Sequence, residues 1–150
     1  MRCQKARINT GMKKLIHRQK MILDFVKSCD EILAEDPENT QVRKLRGLMY
    51  SIAGEYDKAI RDFEQSIQEV PTDTMTYYLK SHSHYDKGEF DLAKRDYMRA
   101  LKMQHGASYS DDEINKAVIL DDNDLADIKA VIEHEKSQAI LLYFNTLNAE

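Results

Sequence analysis

The phrase His82-Ser-His84-Tyr-Asp86 holds three metal-ligating side chains within five residues. On a strand, His82 and His84 would share a face and could chelate one ion. On a helix, residues two apart diverge by about 200° and cannot. A second phrase, Asp122-x-Asp124 with Glu133 as its twelfth position, has part of the spacing of a calcium loop. Its fifth position is Ala126, and Asp127 stands where the turn needs glycine, so the loop cannot form. These acids suit the N-terminal end of a helix, where the dipole favours negative charge. Cys3 and Cys29 supply neither a disulfide framework nor metal spacing, so Cys29 reads as a core thiol and Cys3 as incidental. A phosphate-cradling glycine loop, a nucleophile elbow and a His-Glu-x-x-His helix are all missing from the sequence. No catalytic residue, metal or cofactor is expected, and the chain reads as a non-enzyme.

The elements that position these residues follow from composition and period. The 150 residues suit one domain, and 42% apolar with 32% charged residues suit a globular rather than a disordered chain. Two prolines and five glycines favour long helices over many turns. The longest apolar run, Ala139 to Phe144, is far short of the ~20 residues a membrane span needs. No secretory signal is visible, and two lone thiols fit a reducing compartment, so a cytoplasmic location is expected.

Charge is unevenly placed. Residues 1–20 contain Arg2, Lys5, Arg7, Lys13, Lys14, Arg18 and Lys20 and no acid, giving +7. Residues 108–150 contain ten acids against Lys116, Lys129 and Lys136, giving -7. Within a net charge of -4, the basic end either meets an acidic partner or offsets the acidic end of the same molecule. Nucleic acid and membrane are not expected partners.

The strongest signal is repetition. Gly54-Glu-Tyr-Asp-Lys-Ala-Ile-Arg-Asp-Phe-Glu-Gln-Ser-Ile67 returns 34 residues later as Gly88-Glu-Phe-Asp-Leu-Ala-Lys-Arg-Asp-Tyr-Met-Arg-Ala-Leu101. Pro37 and Pro71 keep the same offset, each closing an amphipathic stretch, and each is followed by polar residues able to cap a new helix. One period is therefore helix, glycine turn, helix, proline-marked turn.

This unit resembles the tetratricopeptide repeat, a 34-residue helix–turn–helix. In residues 40–73 the matching positions are Gly47, Tyr50, Ala59, Phe63 and Pro71; Arg43 and Arg46 depart from the large apolar residues of the pattern. In residues 74–107 the matches are Tyr77, Gly88, Phe90, Ala93, Tyr97, Ala100 and Leu101. There, Lys80, Ser81 and His84 replace Leu, Gly and Tyr, and His105 replaces the proline. The resemblance implies an all-α, solenoid-type repeat fold as a single domain over residues 1–150. Residues 1–11 read as a tail, and residues 12–39 as one long N-terminal helix or a degenerate repeat. Residues 108–150 read as C-terminal capping helices: a capping box at Ser110–Glu113, a short helix, then a long one from Asp124 to Leu147.

The resemblance also implies where a partner binds. Repeats of this family present positions 2, 5, 9, 12 and 13 of each first helix to a concave groove. Here those are Gln41, Lys44, Leu48, Ser51 and Ile52, then Met75, Tyr78, His82, Tyr85 and Asp86. Extending the period backwards adds Lys14, His17 and Arg18. The mixture of cations, aromatic rings and methionine suits a protein or peptide partner of acidic character. The carboxylate clamp that grips chaperone tails is not formed, because Leu48 and Leu79 stand where asparagines are needed. The expected function is a non-catalytic interaction module. The alternatives are a chaperone resembling the small repeat proteins of bacterial secretion systems, or a homo-oligomeric scaffold such as a homodimer, joined through Ile140, Leu142, Tyr143 and Phe144.

Overall fold

The computed structural model describes residues 2–104 together with Ala130 and His134, and side chains from Gly11 onward. The capping box, the helix through Leu147, the Asp122–Glu133 phrase and the Ile140–Phe144 self-association segment lie outside the described residues. Five helices follow in order: α1 (Arg2–Glu35), α2 (Thr40–Ile52), α3 (Tyr56–Glu69), α4 (Thr74–Lys87) and α5 (Phe90–Gln104). No strand occurs among the described residues. The chain divides into two units, Met1–Pro71 and Thr72–Glu150.

In the first unit, α2 packs against both α1 and α3. α1 is one unbroken helix and takes in residues 2–11, which the sequence pattern left as a tail. Nothing in that stretch breaks a helix: it contains no proline, and Gly11 costs only about 1 kcal/mol relative to alanine. Asn39 caps α2 by accepting the Val42 N–H at 3.1 Å. Gly54 follows α2 at φ +80°, a left-handed conformation that glycine adopts without a Cβ clash. Close approach of α2 to α3 rests on Gly47, where an added Cβ would lie 2.8 Å from Phe63 Cε1 and 3.1 Å from Asp62 Cβ. Ala59 and Phe63 of the repeated phrase are fully buried, and Cys29 of α1 is buried as well.

The first unit also explains its two unexpected arginines. Arg46 makes a two-pronged contact with Asp62, Nε to Oδ2 at 2.9 Å and Nη2 to Oδ1 at 2.6 Å, and reaches Asp30 of α1 at 2.7 Å. One guanidinium thus ties three helices, the geometry for which arginine is suited. Arg43 is buried and donates to the Pro37 carbonyl and to Glu69, joining the start of α2 to the end of α3.

In the second unit, α4 packs antiparallel on α5. Asp73 caps α4, accepting from the Met75 and Thr76 N–H groups. Gly88 ends it at φ +86°, with its N–H donating to the Tyr85 carbonyl. Nine consecutive residues, Thr76 to His84, are buried, although six of them are polar. The hydroxyls among them find partners nearby: Thr76 donates to Asp73, Ser81 to the Ala93 carbonyl at 2.7 Å, and Ser83 to the Leu79 carbonyl. Lys80 pairs with Asp96 at 3.3 Å, 34 residues on from the Arg46–Asp62 pair. The second of the two aspartates shared by both copies of the repeated phrase, Asp62 and then Asp96, therefore has one job twice: it receives a cation from the preceding helix.

Candidate protein-interaction surface

The histidine phrase is helical, and its two rings go to different partners. His82 Nδ1 lies 3.2 Å from Asp86, one turn along α4. His84 Nδ1 lies 2.7 Å from Glu89 in the glycine turn, and its Nε2 lies 3.6 Å from Asp96 on α5. Among the described residues no cluster of three or more His, Cys, Asp or Glu side chains is arranged to hold a metal ion. Cys29 has its thiol pushed up to about 11 by burial, partly offset by the Arg46 charge, which makes it a poor nucleophile.

The sequence-selected binding residues fall into two groups. Lys14, His17 and Arg18 are exposed on α1, as are Gln41 on α2 and Met75 and Asp86 on α4, while Lys44, Ile52 and Tyr85 are half-buried. Leu48, Ser51, Tyr78 and His82 are buried, at 2%, 5%, 8% and 4% exposure. Tyr78 donates to Gln104 at 2.9 Å and its ring lies 5.4 Å from that of Tyr97, so it joins α4 to α5. Tyr85 meets the Phe90 ring edge-on across the glycine turn. These contacts follow from tertiary packing, and the position of a residue in the repeat carries no signal for them.

The residues that position alone did not select are apolar. Met12, Leu15, Ile16 and Leu23 of α1 are each more than half exposed, at 56%, 54%, 62% and 68%. A cleft of about 410 Å³ opens beside them, lined by Leu15, Arg18, Gln19, Ile22 and Leu23 of α1 and by Ile52, Ala53 and Glu55 at the α2–α3 turn. It brings Arg18 and Ile52 to one place. Their signal in the sequence was the helical spacing of apolar residues among lysines, which also fits a core-facing stripe.

The family model of the tetratricopeptide repeat matches residues 76–104, the span of α4 and α5. That span is thus similar to a tetratricopeptide repeat, and the described residues are all helical and form helix–turn–helix units. No curated protein and no solved structure gives a significant match. The repeat suggests a protein–protein interaction module, and proteins built of it are generally not enzymes. No described helix is long and apolar enough to cross a membrane.

Proposed function

We propose that the chain binds a partner protein or peptide through the first helices of its repeats, by way of the residues those helices leave accessible. On α2 these are Gln41 and Lys44, and on α4 Met75, Tyr85 and Asp86. The buried members, Leu48, Ser51, Tyr78 and His82, act by holding these helices in place. The observation that carries this reading is the repeat itself, a helix–turn–helix of a family that binds proteins, matched over α4 and α5. The test is capture from the native host lysate with the wild-type chain and with a Lys44→Glu, Met75→Asp double variant. Loss of the captured protein, with the helical circular-dichroism signal unchanged, is the expected result. Equal capture by a folded variant sinks the reading.

A further inference from the structure

α1 is 34 residues long, but α2, the helix it packs on, has only 13. At about 1.5 Å per residue the overhang is some 30 Å of helix beyond its hairpin partner. Leu15 and Ile16 stand three and four residues after Met12 and Leu23 seven after Ile16, so the four share one exposed face of about 17 Å, or three turns. Lys13 and Lys20, seven apart, share one flank, and Arg18, which lines the cleft, lies towards the other; all three are exposed, while Lys14 falls on the far side of the helix. No acid occurs before Asp24. At its C-terminal end the stripe runs into the cleft beside Ile52 and Ala53.

We infer that this face of α1 docks an acidic amphipathic helix of a partner protein. Such a helix, about three turns long, lays its apolar side chains along Leu15, Ile16 and Leu23 and inserts one into the cleft. Its flanking carboxylates meet Lys13 and Lys20 on one side and Arg18 at the cleft on the other. An apolar stripe flanked by cations is complementary to an apolar stripe flanked by anions. A second copy of α1 is a poor occupant, because two stretches of like positive charge would repel. A flat anionic membrane cannot enter the cleft and would face the Glu55 carboxylate at its rim. The inference shares with the first-helix reading only that the partner is a protein; it uses a different surface.

The probe is a synthetic 21-residue peptide of three heptads, with leucine at the two core positions and glutamate at the flanking ones. A lysine-for-glutamate counterpart and vesicles of neutral lipid with and without phosphatidylserine are the controls. Binding to the full chain is read by fluorescence anisotropy, and vesicle binding by co-sedimentation. The glutamate peptide should bind at least tenfold more tightly than the lysine peptide, and weaken as salt rises from 50 to 300 mM. A Leu15→Ser, Leu23→Ser variant and a Lys13→Glu, Lys20→Glu variant should each lose about tenfold or more, while Lys44→Glu, Met75→Asp leaves the affinity unchanged. Equal binding of both peptides overturns the inference. So does adsorption to phosphatidylserine vesicles without peptide binding, or a dimer by light scattering that Leu15→Ser, Leu23→Ser abolishes. Loss of peptide binding in the Lys44→Glu variant alone moves the acidic partner to the first helices.

Discussion

Lys80 and Asp96 are both buried, and burial pushes the Asp96 carboxyl above its ordinary range while the Lys80 ammonium pulls it back. Two desolvated charges hold each other, so removing either leaves the other uncompensated. Asp96→Leu alone should cost about 3 kcal/mol of unfolding free energy, whereas Lys80→Met with Asp96→Leu should restore most of it. Urea unfolding of the two singles and the double decides this; a strictly additive double would mean the pair is not coupled. In the first unit the equivalent pair is partly exposed and reaches a second carboxylate, Asp30. There arginine can satisfy two acids at once, which a lysine ammonium at position 80 is not asked to do.

At the level of helices, the glycines differ in what they permit. Gly47 exists because α2 and α3 approach within the space of a Cβ, against the rigid Phe63 ring and the Asp62 stem. Gly47→Ala gains about 1 kcal/mol of helix propensity but forces that contact apart, at a cost of about 1–3 kcal/mol. A lower thermal midpoint is the expected outcome. Gly11, with no atom within 4 Å of a Cβ and exposed in mid-helix, is the control: Gly11→Ala should raise the midpoint. If both substitutions stabilise, the close approach of α2 and α3 is not the constraint on position 47. Ser81 occupies the equivalent place in α4 and spends its hydroxyl on the Ala93 carbonyl, so the second unit tolerates a side chain there.

Across the whole molecule, two carboxylates respond to acid in the same direction. Glu69 sits below its ordinary value of 4.5: burial pushes it up, but hydrogen bonds from Thr40 and Arg43 outweigh this. Glu89 is lowered by its hydrogen bond from Lys87 and then by that from His84. A depressed folded value means stability that is complete above the unfolded value and is lost as pH falls through the folded one. Asp96 has the opposite sign: ionised, it costs stability above its raised folded value, and that cost is relieved on acidification. Unfolding free energy should therefore decline from about pH 4.5 downward. A Glu69→Gln, Glu89→Gln variant should show a shallower decline, measured by urea unfolding at pH 6, 4.5 and 3.5. An unchanged slope would mean that other carboxylates dominate.

The repeat family and the all-α class were legible in residues 54–67 and 88–101, because close helix packing demands a small residue and a ring at fixed steps, and Ala59, Phe63, Ala93 and Tyr97 supply them. The caps at Asn39 and Asp73 and the left-handed glycines were legible for the same reason: they are set by backbone chemistry within a few residues. Arg43, Arg46 and Lys80 stood out only as departures from a pattern. Their partners Glu69, Asp62 and Asp96 lie 16 to 26 residues away, and a charge at that separation has no local signature. Exposure was likewise decided by the tertiary structure alone. Tyr78 and Met75 are both first-helix positions of the same repeat, yet the tyrosine is sealed against α5 and the methionine is open. The apolar spacing of α1 shows the same limit: an amphipathic sequence specifies which side of a helix seeks cover, and only packing determines whether that side is covered.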